Sequence, residues 1–231
     1  MTSIIILTYN NLGYTKTCIE SVREYTKGDY EIVVVDNGSK DGMPEWLEGE
    51  RTKGRIQKLF LSPVNLGVPA GWNKGLEMAG SDRDYYVVLN NDVFVTPGWL
   101  EKLITVANYH PLIGMVGPVT NYCSGPQREG FVKAGCTYCW RLVGFCLLIK
   151  GDVLRKVGLF DERFGRGNFE DDDYCLRVIE AGYENVICGD CFVHHIGSAS
   201  WEPGSLDAQL EKNKKIFDEK WPMDKIKKLI G

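Results

Sequence analysis

Ser3-Ile4-Ile5-Ile6-Leu7-Thr8-Tyr9-Asn10 and Glu31-Ile32-Val33-Val34-Val35-Asp36-Asn37-Gly38-Ser39 share one pattern: an unbroken aliphatic run that turns abruptly polar. A strand with one wet face alternates apolar and polar side chains, whereas a strand covered on both faces reads as a continuous apolar run, the habit of parallel strands packed under helices. Asp84 to Leu89 repeats the pattern and ends in Asn90-Asn91-Asp92. Helical periodicity separates these runs, at Leu12 to Tyr25, Pro44 to Glu50, Pro69 to Ala79 and Pro97 to Tyr109, with further strands expected at Ile56 to Leu61 and Gly114 to Gly117. Such alternation predicts an α/β fold with a mostly parallel central sheet flanked by helices. In an open parallel sheet the ligand crevice lies beyond the carboxyl ends of the strands, so the polar strand ends at Thr8 to Asn10, Asp36 to Ser39 and Asn90 to Asp92 should converge on one edge.

Working outward, the second half changes character. Leu142 to Ile149 reads as a strand, Asp152 to Val157 and Phe169 to Ala181 as helices, Val186 to His195 as one or two strands, and Leu206 to Lys228 as helices interrupted at Pro222. We expect this half to finish the sheet and wall the site. The chain has 231 residues, 44% hydrophobic and 25% charged, which suits one globular domain. A net charge of -4 leaves no surplus for a polyanion, so no nucleic acid partner is expected. The N-terminus carries no secretory pattern and no apolar run spans a bilayer, which points to a cytoplasmic protein. Eight cysteines include the pairs Cys136/Cys139 and Cys188/Cys191. Either structural zinc or buried reduced thiols would account for them, and the long gap between the pairs favours thiols.

The glycines exclude two nucleotide chemistries. Thr8-Tyr9-Asn10-Asn11-Leu12-Gly13 after the first strand fits neither GxGxxG nor GxxxxGK[ST], and Gly165-Arg166-Gly167-Asn168-Phe169-Glu170 lacks the third glycine and brings acid where a pyrophosphate would sit. A phosphate bound without a glycine cradle needs a divalent cation held by acids. Asp92, beside two asparagines at a strand end, suits that task, although Asn90-Asn91-Asp92 also reads as an Asx turn. Glu170 to Asp173 opens a helix, where acids are favoured by the macrodipole; four in a row exceed what capping needs, and Asp173 with Arg177 makes an i,i+4 pair. Glu170 and Asp171 are then best placed to meet a ligand. His194-His195 ends an apolar strand, so at most one imidazole can join the same site.

Seven segments spanning residues 4 to 200 resemble, in order, the inverting GT-A glycosyltransferases of family 2, especially the rhamnosyltransferase-like and polysaccharide-assembly branch. They are IIILTYN from Ile4, VVVDNGSKDG from Val33, NLGVPAGWNKG from Asn65, VLNNDV from Val88, GLFDERF from Gly158, FEDDDYCLR from Phe169 and VHHIGSAS from Val193. The resemblance implies that Thr8, Tyr9 and Asn10 line the nucleotide pocket, that Asp36 bonds the base, and that Asn65 and Gly67 close over the nucleotide, with Asn91 beside them. It further implies that Asp92 binds Mn²⁺ or Mg²⁺ bridging the donor diphosphate, with His195, or His194 as the alternative, as a second ligand. Asp171 corresponds to the general base and Glu170 to its neighbour. Asn90 replaces the first acid of the DxD motif, and Trp72 replaces an Arg found in many relatives.

On this reading residues 1–205 form the transferase domain, a nucleotide-binding half to about 118 and an acceptor half beyond it, and 206–231 a helical appendage. The expected reaction moves a sugar from a nucleotide sugar to a hydroxyl on a glycan or lipid-linked acceptor. The helix N-terminus is expected to depress the pKa of Asp171, and the appendage offers weak membrane-surface or protein-partner docking. A catalytically inactive nucleotide-sugar-binding module is the alternative, with a sugar nucleotidyltransferase behind it.

Overall fold

β1 (Thr2–Thr8) is buried along its whole length and pairs in parallel with β2 (Tyr30–Asp36) on one side and β4 (Tyr85–Asn90) on the other. The computed structural model describes residues 1–197 and 206–231. Successive β1 side chains serve opposite faces, as the pleat requires. Ile4 and Ile6 pack with Cys18, Ile19 and Val22 of α1 (Leu12–Tyr25), Met43 and Leu47 of α2 (Met43–Thr52), and Trp99, Leu100 and Leu103 of α4 (Trp99–Tyr109). Ile5 and Leu7 pack with Trp72 and Leu76 of α3 (Val68–Ala79), Val153 of α5 (Gly151–Val157), and Tyr174 and Val178 of α6 (Glu170–Glu180). Two cores, one per face, explain why the N-terminal runs carry no alternation. The glycines of α3 have a steric cause: a Cβ at Gly71 would lie 2.4 Å from Leu7 Cδ1 and one at Gly75 would lie 2.2 Å from Ile5 Cγ2. Only without these carbons does the helix settle onto β1.

The sheet order is β3-β2-β1-β4-β8-β6-β9-β5, with β3 at Lys58–Leu61, β5 at Val93–Val95, β6 at Ile113–Thr120, β8 at Cys146–Lys150 and β9 at Glu184–His195. From β3 to β4 the sheet is parallel, as the early alternation predicts. Beyond it the sheet is mixed, because β8 inserts antiparallel between β4 and β6 and β5 pairs antiparallel with the end of β9. β9 is one strand, bulged where Cys188 and Phe192 face consecutive residues of β6. β7 (Cys136–Cys139), unexpected from sequence, pairs antiparallel with β9, and Cys136 sits opposite Cys188 while Cys139 sits opposite Asn185. Residues three apart in a strand face opposite ways. Cys139 therefore faces away from Cys136, into the other core, while the bulge leaves Cys188 and Cys191 on one face; among the described residues no group of three or more His, Cys, Asp or Glu side chains could hold a metal ion.

The C-terminal segment forms α7 (Leu206–Lys220) and α8 (Met223–Ile230), broken at Pro222 as expected. Phe217, Trp221 and Ile226 join Phe164 and Leu176 in a third apolar cluster against α6. Trp221 Nε1 donates to Asp173 Oδ1 at 2.7 Å, and Lys220 Nζ reaches the same oxygen at 2.7 Å. Among the described residues no helix is long and apolar enough to cross a membrane. Trp221 is 2% exposed. Trp221→Ala should cost about 3–5 kcal/mol in chemical denaturation through cavity and lost hydrogen bond; a loss under ~1 kcal/mol would mean that α7 and α8 are only loosely attached.

Candidate active site

The polar strand ends do converge, around a cleft of about 490 Å³. It is lined by Thr8 and Tyr9 from β1, Asn37 after β2, Asn90 to Asp92 between β4 and β5, Glu170 to Asp172 from the start of α6, and His195 from the end of β9. At the β1 and β2 ends, Thr8 and Asp36 are register partners. Thr8 Oγ1 donates to Asp36 Oδ1 at 3.1 Å, the Ser39 hydroxyl donates to the same oxygen, and Ser39 N donates to Oδ2 at 3.2 Å. Asn10 N donates to Ser39 Oγ at 2.7 Å, so the turns after β1 and β2 are tied together. Asn37, which the sequence reading passed over, fastens the next loop. Its Nδ2 donates to Asn65 Oδ1 at 3.1 Å and to the Gly67 carbonyl at 3.0 Å, and its Oδ1 accepts from Leu66 N at 3.0 Å. Gly67 has φ +89°, and a Cβ there would lie 2.0 Å from the Gly165 carbonyl oxygen. Asn91 turns inward: its Nδ2 donates to Thr15 Oγ1 at 2.8 Å and to the Asn10 carbonyl at 3.2 Å.

Asp92 and His195 meet because β5 pairs with the end of β9, setting Val93 opposite His195. His195 Nδ1 lies 2.8 Å from the Tyr122 carbonyl oxygen. A carbonyl can only accept, so Nδ1 carries the proton and, in the neutral ring, Nε2 presents its lone pair. That lone pair faces Asp92 Oδ1 at 3.5 Å, while Asp92 Oδ2 is satisfied by Gly197 N at 3.1 Å. Two acceptors pointing at each other across such a gap match the donor set of a divalent cation that takes oxygen and imidazole ligands. The ring is held by stacking on Phe145, 5.0 Å between centroids, and by Asn121, whose Oδ1 accepts from His195 N at 2.8 Å. His194 points the other way: it is exposed and packs edge-on against Phe192. Of the last motif, Ser198 to Ser200 lie outside the described residues.

The acidic run is buried throughout, with Glu170, Asp171, Asp172 and Asp173 at 5%, 8%, 5% and 0% exposure. Each carboxylate answers the cost of burial differently. Asp173 Oδ2 takes Arg177 Nε at 2.9 Å. Asp172 takes Arg141 Nε, yet burial and the neighbouring Asp171 still push its pKa up to about 7. Asp171 accepts from Gly144 N at 2.8 Å and from Asp172 N at 2.9 Å. Burial nevertheless raises its pKa, only partly offset by Gly144 and Arg141. This corrects the expectation of a depressed value: desolvation outweighs the helix dipole. Glu170 Oε2 has no hydrogen-bond partner among the described residues, and burial beside Asp171 pushes its pKa well above its ordinary value. Gly144 is required where it stands, since a Cβ would lie 2.6 Å from Trp72 Cη2. Trp72 itself, in the position of the expected Arg, is 1% exposed and packs on Phe160 with 5.0 Å between centroids.

The backbone entering α6 is strained. Asn168 and Phe169 have φ of 74° and 72°. For side-chain-bearing residues the left-handed region costs about 1–2 kcal/mol each. Arg141, Gly144 and Tyr122, which hold Asp172, Asp171 and His195, carry no sequence signature that marked them beforehand.

Residues 3–152 match the family model described as Glycosyl transferase family 2. The chain is 26% identical, over 93% of its length and 82% of the relative, to the N-acetylglucosaminyl-diphospho-decaprenol L-rhamnosyltransferase of Mycobacterium tuberculosis. Among solved structures it superimposes on GalNAc-T7 with UDP, GalNAc and Mn²⁺ at TM-score 0.72 and 15% identity, covering 84% of this chain and 43% of that one. On the mannosyltransferase PcManGT of Pyrobaculum calidifontis with GDP-Man and Mn²⁺ the values are 0.67, 20%, 84% and 56%. These likenesses establish the GT-A fold. The chain spans about half the length of those solved chains, and a quarter of an uncharacterised Sinorhizobium fredii protein (y4gI) that it matches at 29% identity over 87% of its own length.

A carboxyl that must lose its proton in a buried site destabilises the fold once ionised. Its raised native pKa makes its stabilising share complete below the unfolded value of about 4.3 and lost as pH climbs toward the native pKa. Glu170→Gln should therefore raise the thermal midpoint at pH 8 by a few degrees, about 2–4 °C for each ~1 kcal/mol relieved, and change it little at pH 4. An equal rise at both pH values would remove ionisation as the cause.

Proposed function

Since the chain belongs to glycosyl transferase family 2, we propose that it is an inverting, metal-dependent transferase that moves a sugar from a nucleotide-diphosphate sugar to a hydroxyl on a glycan or lipid-linked acceptor. One observation carries this reading: the Asp92–His195 pair and the Asp171 carboxylate, from different elements of the fold, line the same cleft. The two solved neighbours, with UDP or GDP-Man and Mn²⁺, agree with such a donor.

In this proposal Thr8, Tyr9, Asn10 and Asp36 take the nucleotide base and its ribose, and Asn65 and Gly67 cover it. Asn91 holds the Asn10 turn in place through its two hydrogen bonds. Asp92 Oδ1 and His195 Nε2 would hold Mn²⁺ or Mg²⁺, which supplies charge neutralisation for the departing nucleoside diphosphate. Asp171 accepts the proton of the attacking hydroxyl as its oxygen bonds the anomeric carbon and the bond from that carbon to the diphosphate oxygen breaks. A single in-line displacement inverts that carbon. Burial makes Asp171 a stronger base than a surface carboxylate, and the two backbone N–H groups fix which lone pairs face the acceptor. Burial beside Asp171 raises the pKa of Glu170 well above its ordinary value, which disfavours a second negative charge beside the base. The activity belongs on the cytoplasmic side of a membrane when the acceptor is lipid-linked, with Lys227 and Lys228 in the last turn of α8 available for surface contact.

Asp171→Asn should lower turnover by about 10²–10⁴-fold while the nucleotide affinity measured by calorimetry stays within about twofold; unaltered turnover would refute the base. Turnover should also fall as pH drops through a value above the ordinary carboxylate pKa of about 4, because Asp171 must be ionised, and an acidic limb at or below pH 4 would contradict its burial-shifted pKa. Chelation of divalent metal should weaken nucleotide binding, and an unchanged affinity would exclude Asp92 and His195 as a metal site.

A further inference from the structure

We infer that Asn213, on the C-terminal helix α7, is a positioning residue for the transfer reaction: it locks the loop that sets Glu170 and Asp171 in the cleft. Asn213 is 0% exposed. Its single amide nitrogen donates to three carbonyls of one loop, Phe164 and Gly167 at 2.7 Å each and Asn168 at 2.9 Å. The amide is held in this orientation by Gln209, four residues earlier on the same helix face, whose Nε2 donates to Asn213 Oδ1 at 2.8 Å.

The loop needs such a holder. Gly165, Gly167, Asn168 and Phe169 all have positive φ, so its carbonyls turn away from helix and sheet ladders and require donors from elsewhere. It is gripped from the opposite side as well, where Val68 N at the start of α3 donates to the Gly165 carbonyl at 3.2 Å. Arg166 to Phe169 line the cleft, and so does Leu210 of α7. Asn213 thus acts on the base through the main chain of Phe169 and Glu170, from a segment beyond the residues 3–152 that the family model covers. This inference rests on the transferase reading for what the loop serves, and on geometry alone for what Asn213 holds.

The test compares the full-length protein with Asn213→Leu, which keeps volume and removes every donor, in two assays. Hydrogen exchange should show lost protection confined to residues 164–170, with β1, β2 and β4 unchanged. Nucleotide release from a panel of nucleotide sugars with Mn²⁺ should lose kcat by about 10²-fold, the cost of a misplaced base, with donor KM nearly constant. If Asn213→Leu does not fold, Gln209→Leu, which frees the amide to rotate, should produce the same two changes at smaller size. Normal protection of the loop, loss spread over the whole chain, or a change in KM without kcat would each overturn the role of Asn213. A wild-type protein that releases nucleotide from none of the sugars would instead sink the transferase reading, while the exchange result would still decide what Asn213 holds.

Discussion

Burying four consecutive carboxyl groups at the first turn of α6 is the constraint around which the second half of the chain is arranged. An ionised carboxylate taken out of water costs several kcal/mol unless it is paired, bonded or protonated, and the chain uses all three remedies in sequence. Asp173 is paired with Arg177 and Lys220 and bonded by Trp221, which ties the last two helices to α6. Asp172 draws in Arg141 from the strand-poor stretch after β7. Asp171 takes two backbone N–H groups and lines the cleft, and Glu170, its pKa raised by burial beside Asp171, holds its proton more tightly than an ordinary carboxyl. The same run that looks like excessive helix capping in the sequence therefore organises α7, α8, Arg141 and Gly144.

The meeting of Asp92 and His195 is governed by sheet pairing. Because β5 hydrogen-bonds to the last residues of β9, a three-residue strand carries Asp92 to His195. The Tyr122 carbonyl then fixes which ring nitrogen is free. Neither group alone defines a reaction. On the proposed reading they bring a neutralising centre and a base to one cleft, the arrangement a displacement at a sugar carbon needs.

The N-terminal parallel sheet was legible because its signal is local: continuous apolar runs with polar ends, separated by helical periodicity. Of the residues proposed for the site from the same stretch, Thr8 and Asp92 line the cleft at their strand ends, and Asp36, bonded to Thr8 and Ser39, lies behind it. The mixed part of the sheet was not legible, since β8 inserts antiparallel between β4 and β6, two strands that precede it, and sequence spacing carries no record of that insertion. β5 and β7 are too short for a periodic signal. The direction of the Asp171 shift was misread for a related reason: a helix N-terminus is visible in sequence, whereas the depth at which tertiary packing buries it is not. Asn213 left no trace at all, being one polar residue in a lysine-rich helix whose three partners come from a loop far away in the chain. The choice between His194 and His195 needed only the strand's alternation plus its pairing with β5, and the pairing was the missing half.

The most direct test of the account is the configuration of the transferred sugar, followed by proton NMR of the anomeric signal in the first product formed from a nucleotide sugar that the protein turns over. Attack by a hydroxyl deprotonated at Asp171 predicts a product of inverted anomeric configuration from the earliest time point. A product that retains the donor's configuration would contradict the single displacement and, with it, the role given to the buried carboxylate at the start of α6.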